Sequence, residues 1–208
     1  MTTTTTTEER LQVAAIVLAA GSSRRMGTNK LLLPLEDEPL VRRTVRRCLA
    51  ADFDRVVVVL GHEAARVREV LDGLPCAIVE NADHARGVGT SIRAGVGFVA
   101  DAMDAVVMVL ADMPYVTTDM LRTVLSWYRA TRPPVVVSEY GDVQAPPTLY
   151  DRALFARLLA IEDDSGGKAV AQQLAALRVT VAFPESARRD LDVTEDYERL
   201  RAKPTAMP

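Results

Sequence analysis

Six short runs of apolar, largely β-branched residues recur along this chain, at positions 13–18, 56–60, 77–79, 105–110, 135–137 and 179–181. The first five read as continuous apolar stretches, not as an alternation of apolar and polar positions, and only Thr180 interrupts the sixth. A strand that is apolar on both faces must be covered on both faces, which is the condition of a parallel sheet held between helices. Segments of helical pattern fill the intervals, at 40–51, 63–71, 91–102, 118–130, 151–160 and 168–177. Strand and helix in alternation argue right-handed β-α-β crossovers. The expected fold is therefore α/β, a single-domain Rossmann-like three-layer sandwich with a mostly parallel sheet. Thr118 is a candidate cap for a helix with Asp119 in its first turn, and Pro133-Pro134 ends that helix before the next strand. With 208 residues the chain can bury one stable core. The threonine run at 2–7 is low in complexity, so the organisation reads as a disordered tail over 1–10 followed by one domain over 11–203.

The first apolar run ends in Leu18-Ala19-Ala20-Gly21-Ser22-Ser23-Arg24-Arg25-Met26-Gly27-Thr28-Asn29-Lys30. Gly21 and Gly27 let the backbone turn sharply and approach a ligand closely. Backbone N–H groups in such a loop can cradle an anion. Arg24, Arg25 and Lys30 add positive charge, and arginine grips phosphate through paired donors. The string reads as a triphosphate cradle. It is not a Walker A loop, which needs a lysine directly after its second glycine, and it lacks the Gly-x-Gly-x-x-Gly of dinucleotide loops. The plainer alternative, a strand-to-helix turn with solvated basic residues, accounts for one glycine and one arginine better than for the whole string.

Ligands of open α/β sheets bind beyond the carboxyl ends of the strands. The fourth run ends at Leu110 and is followed by Ala111-Asp112-Met113-Pro114, so Asp112 emerges on the same edge as the glycine-arginine loop. An aspartate here serves as a turn former or helix cap, or as the carboxylate that holds Mg²⁺ against substrate phosphates. A third loop, 81–92, carries Gly87 and Gly89 for close backbone approach, with Thr90 or Ser91 as a helix cap. His84 reads as a polar loop residue and His62 as a helix start; neither has neighbours at zinc-site spacing. The net charge of −3 argues against a nucleic-acid surface. Cys48 and Cys76 do not make a disulfide framework, so a reduced, cytoplasmic setting is expected. No stretch reaches the ~18 apolar residues of a membrane helix, and Glu8 and Glu9 ahead of residues 11–20 do not suit a signal peptide.

On these residues the chain resembles the MobA-like nucleotidyltransferases. Leu18-Ala19-Ala20-Gly21-x-Ser23-x-Arg25-Met26-Gly27-x-x-Lys30 is similar to their signature, and most similar to that of the molybdenum cofactor cytidylyltransferases. Relatives that use GTP carry Ala-Gly-Gly where this chain has Ala19-Ala20-Gly21. The resemblance runs from about residue 13 to about residue 199. It implies a sheet of the nucleotide-diphospho-sugar transferase type. It also implies a nucleotide site formed by Leu18, Ala19, Ala20, Gly21, Ser23, Gly27, Asn81, Gly87 and Ser91. Arg25 and Lys30 would stabilise the triphosphate and the leaving pyrophosphate, and Asp112 would hold Mg²⁺. Asp190-Leu191-Asp192-Val193-Thr194-Glu195-Asp196 is similar to the family's closing acidic segment, which makes Asp192 a second metal ligand or a cap of the final helix.

The implied reaction moves CMP from CTP to the molybdopterin form of the molybdenum cofactor, with a molybdenum hydroxylase as a partner and no nucleic acid or membrane involved. Two stretches of the second half bear on the acceptor. Ala145-Pro146-Pro147 departs from the family's Gly-His/Asn-Pro and puts the acceptor in question. Residues 163–168 resemble a Gly-Asp-x-Gly turn, either an anion site at its N–H groups or a capped helix start. A sugar or polyol phosphate acceptor, an NAD(P)-dependent reductase and a nucleotide-binding module without catalysis stand as alternatives.

Overall fold

The computed structural model describes residues 10–22, 28–162, 164 and 166–188. Ser23, Arg24, Arg25, Gly27 and Asp192, and residues 1–9 of the expected tail, lie outside the described residues. In chain order the elements are β1 (Val13–Ala19), β2 (Pro34–Leu35), β3 (Glu38–Pro39), α1 (Leu40–Leu49), β4 (Arg55–Leu60), α2 (Ala64–Val70), β5 (Ala77–Glu80), α3 (Val88–Val99), β6 (Ala105–Leu110), α4 (Thr118–Thr131), β7 (Val135–Tyr140), β8 (Val143–Asp151), α5 (Phe155–Leu159), α6 (Lys168–Gln172) and β9 (Val179–Phe183).

Seven strands form one sheet in the order β5-β4-β1-β6-β8-β7-β9, and β2 pairs with β3 in a small separate hairpin. The interior strand β1 is parallel to β4 and β6, and β5 is parallel to β4. The alternation of β1 sorts its side chains between two cores. Val13, Ala15, Val17 and Ala19 face a cluster that includes Val41 and Val45 of α1 and Leu121 and Val124 of α4. Ala14 and Ile16 face Ile92 and Val96 of α3 and Phe155 and Leu158 of α5. Every one of these β1 residues is essentially excluded from water, and burial of a side chain such as Ile16 contributes roughly 1.5–3 kcal/mol. α1 buries Leu40, Val41, Thr44, Val45 and Cys48, the one-sided stripe of an amphipathic helix. The expected three-layer α/β sandwich is what these residues form. Among the described residues no helix is long and apolar enough to cross a membrane.

Besides the β2-β3 hairpin, the structure adds one strand to the main sheet expected from sequence. β8 lies between β6 and β7 and runs antiparallel to both. Its Ala145-Pro146-Pro147 stretch argues against an interior strand, because proline has no N–H to give to a ladder. The ladder accommodates this with a shift of register beyond Val137, so that Val137 pairs with Thr148 and Ser138 with Ala145. The two proline carbonyls take their hydrogen bonds from side chains: Ser138 Oγ donates to Pro147 O at 2.6 Å and Tyr140 Oη to Pro146 O at 2.9 Å. Helix starts also move. Thr117, not Thr118, caps α4, its hydroxyl accepting from Met120 N at 3.2 Å. α3 begins at Val88, so Thr90 and Ser91 lie in its first turn and are not its caps.

Candidate nucleotide site

β1 and β6 pair in parallel with Leu18 opposite Leu110, so the loops that follow them leave the sheet side by side. Ala111 N donates to Leu18 O at 3.2 Å and ties the two strand ends together. The loop after β1 returns at a 3-10 turn, Lys30–Leu32, capped by Asn29, whose Oδ1 accepts from Leu31 N. This places Lys30 Nζ 2.6 Å from Asp112 Oδ2, with the two side chains 14% and 24% exposed. An ion pair this shielded is worth more than one in open water. It gathers opposite charges where the sequence puts the phosphates.

α1 fastens the Asp112 loop from below. Thr44 Oγ1 donates to Ala111 O at 3.2 Å, and the Arg47 guanidinium donates to Pro114 O and to Val116 O. Burial and the neighbouring Arg43 lower Arg47 to about 10, which leaves it protonated and able to donate at neutral pH. Thr44 and Arg47 carry no local motif, and the sequence gives no sign that they meet this loop.

Lys30 and Asp112 border a cleft of about 360 Å³ at this edge of the sheet. Ala20, Gly21 and Ser22 line it together with Gly87 and Ser91, and Leu18, Leu31, Val88 and Leu110 are among its apolar residues. Of the expected site residues within the described chain, Leu18, Ala20, Gly21, Lys30, Gly87, Ser91 and Asp112 are thus brought together. Ala19 points into the core and does not line the cleft. Asn81 does not line it either. Its Nδ2 donates to Thr90 Oγ1 at 2.7 Å and Ser91 Oγ at 3.0 Å, while its Oδ1 accepts from Asp83 N at 3.0 Å. The buried Asn81 amide therefore braces the start of α3, which carries Ser91. His84, read from sequence as a plain loop residue, does line the cleft.

Gly87 has φ 117° and ψ 167°, a conformation reserved for glycine. The space a Cβ would take is filled by the Asp164 carboxylate, whose Oδ1 accepts from Val88 N at 3.0 Å. Gly87→Ala should therefore cost about 1–3 kcal/mol in backbone strain and displace Asp164. Thermal melting should show the loss of stability, and triphosphate affinity should fall with it; unchanged melting and affinity would mean that this loop readjusts freely.

A second cleft of about 260 Å³ shares Leu18, Val88 and Leu110 with the first. Gln144, Ala145, Pro146 and Thr148 of β8 line it, with Asp164 and Lys168. The reversed direction of β8 is what brings its early residues to the carboxyl edge of the other strands. The departure at Ala145-Pro146 lies in the wall of this second cleft.

A mostly parallel sheet, with a paired lysine and aspartate at its carboxyl edge and two adjoining clefts, defines an α/β protein of the nucleotidyltransferase class. Residues 15–179 match the MobA-like NTP transferase domain, and the chain belongs to that family. It is 29% identical over 192 residues to the purine catabolism protein PucB of Bacillus subtilis, covering 86% of this chain and 91% of that one. It is 27% identical over 189 residues to the nicotine blue oxidoreductase of Paenarthrobacter nicotinovorans, again covering 86% of this chain and 91% of the relative. The crystal structure of Rv0371c from Mycobacterium tuberculosis H37Rv superposes with a TM-score of 0.82 at 27% identity, covering 91% of this chain and 97% of that one. A manganese complex of the same protein superposes with a TM-score of 0.72 at 28% identity, over the same shares of the two chains.

Proposed function

We propose that the protein transfers CMP from CTP to the molybdopterin form of the molybdenum cofactor and releases pyrophosphate. The observation that carries nucleotidyl transfer is the Lys30–Asp112 pair, 2.6 Å apart on the border of the first cleft. Membership of the NTP transferase family supports the reaction class. The Ala19-Ala20-Gly21 form of the opening loop supports CTP as the donor. A molybdenum hydroxylase is the partner that this reading names.

The chemistry asks little of a general base. A phosphate oxygen of the acceptor, already anionic at neutral pH, attacks the α-phosphorus of the triphosphate. The new P–O bond forms as the bond to the bridging oxygen breaks, and that oxygen leaves with the pyrophosphate. Positioning and charge neutralisation then supply most of the rate. Lys30 neutralises charge on the triphosphate and on the departing pyrophosphate. In this reading the backbone of Ala20, Gly21 and Ser22, which lines the cleft, would meet the phosphates, and Ser23, Arg25 and Gly27 are the further residues assigned to bind them. Asn81 serves indirectly, by holding Ser91 at the nucleotide.

Asp112 is the residue that would hold Mg²⁺, with Asp192 as a second carboxylate. Among the described residues no three metal-ligating side chains converge. That donor set fits an ion held by one or two carboxylates, phosphate oxygens and water, which is the habit of Mg²⁺. A manganese complex of Rv0371c agrees with a divalent ion in such a fold. When bound, the ion offsets phosphate charge in the transition state.

The deciding experiment measures pyrophosphate release from CTP, GTP and ATP with Mg²⁺, with and without molybdenum cofactor. Release that requires both CTP and the cofactor establishes the reading. Release with a sugar or polyol phosphate in place of the cofactor would reassign the acceptor. Binding of triphosphate without release under any acceptor would make the protein a nucleotide-binding module. Because one relative bears the name of an oxidoreductase, NADH and NADPH oxidation are followed in parallel, and turnover there would replace the transferase reading.

A further inference from the structure

Ile161, Asp164 and Gly167, described residues that precede α6, are each held by other elements. The Arg93 guanidinium, on α3, donates to Ile161 O. The Asp164 carboxylate accepts from Val88 N at the start of the same helix. Gly167 presses against the hydroxyl of Tyr150 on β8, where any side chain would collide. The next residue is Lys168, at the opening of α6, and it lines the second cleft. Asp164 is the other charged residue there, and its carboxylate is already engaged by Val88 N. The Lys168 ammonium has no carboxylate partner among the described residues. Apart from these ends the cleft wall is apolar or neutral, with Ile92, Met108, Val137 and Pro146 beside Gln144 and Thr148.

We infer that Lys168 binds the phosphate of the acceptor in this second cleft, an inference that rests on the nucleotidyl-transfer reading above. The chemistry selects a phosphomonoester with a compact, largely apolar or ring-shaped body. The apolar wall takes the body, Gln144 and Thr148 take its polar edge, and Lys168 takes the anion. The neighbouring cleft, sharing Leu18, Val88 and Leu110, keeps that phosphate close to the triphosphate. Asp164 connects the two subsites, because it lines the second cleft and accepts from Val88 N, which lines the first.

The test compares wild type, Lys168→Ala and Lys168→Arg in pyrophosphate release with CTP, Mg²⁺ and molybdenum cofactor. Lys168→Ala should raise the KM for the cofactor roughly tenfold or more, the usual scale for one charge-assisted hydrogen bond. The KM for CTP should stay as in wild type, and Lys168→Arg should restore most of the acceptor affinity. An unchanged acceptor KM in Lys168→Ala, or an equal rise in the KM for CTP, overturns the inference. If wild type itself gives no turnover with the cofactor, the acceptor reading has failed, and inorganic phosphate becomes the probe. Added to the CTP-loaded protein, phosphate should then shift the backbone amide resonances of Gly166, Gly167 and Lys168 in wild type and not in Lys168→Ala. Equal shifts in both proteins, or none in wild type, overturn it.

Discussion

Asp112→Ala should lower turnover by about 10³-fold or more while the protein remains folded. The carboxylate is the one described acidic group in the first cleft, and it faces Lys30 at 2.6 Å. Removing the ligand of a charge-neutralising ion takes away stabilisation that is largest in the transition state, and loss of a single preorganised group of this kind typically costs 10²–10³. Stability should fall only modestly, because Lys30 also lines the cleft and water there can replace its lost partner. The buried residues around the loop, Ala111 and Met113, are untouched. The expected result is a variant with a near-wild-type melting curve, no measurable pyrophosphate release, and Mn²⁺ binding, followed by electron paramagnetic resonance, that CTP no longer strengthens. Asp112→Asn should behave alike, since it keeps the shape and loses the charge. An active Asp112→Ala protein would remove Asp112 from the chemistry.

Lys30→Ala should reduce the rate by roughly 10² at saturating CTP, the scale for deletion of one preorganised charge donor. Its direction is distinctive on a second measurement. In the structure the ammonium sits on the carboxylate that is proposed to hold the ion. Without nucleotide, Lys30→Ala should therefore bind Mn²⁺ more tightly than wild type, because the competing cation is gone. With nucleotide the order should reverse, since the phosphates lose their partner. Lys30→Met, which keeps much of the stem, separates lost packing from lost charge. If kinetics and both Mn²⁺ affinities match wild type, Lys30 is a solvated lysine and the cradle lies elsewhere.

The expected metal role of Asp112 and charge role of Lys30 were read from loops 82 positions apart, and their meeting has a simple origin. Both follow strands that run parallel next to each other, and parallel neighbours deliver their ends to one edge. The same logic accounts for Gly87, which follows β5 on that edge. It does not extend to Asn81, a residue expected at the nucleotide whose amide is spent on Thr90, Ser91 and Asp83. Residue type told that Asn81 would make hydrogen bonds, and only the packed loop decided with whom. His84 shows the converse, since a lone histidine in a polar loop carries no spacing that separates a cleft residue from a solvated one.

Local patterns in the chain were enough to set the α/β class, the sheet edge on which the first cleft opens and two charged residues that border it. Those follow from local rules: continuous apolar runs must be covered on both faces, and loops after parallel strands share an edge. Three features emerged only on packing: the reversed strand β8 between β6 and β7, the α1 side chains that hold the Asp112 loop, and the Asp164 cap on Val88. Thr44 reaches Ala111 across 67 positions and Asp164 reaches Val88 across 76. Hydrogen bonds at such separations leave no period in the chain, because a side chain and a distant backbone group become partners only after the layers have packed and excluded the water that would otherwise satisfy them.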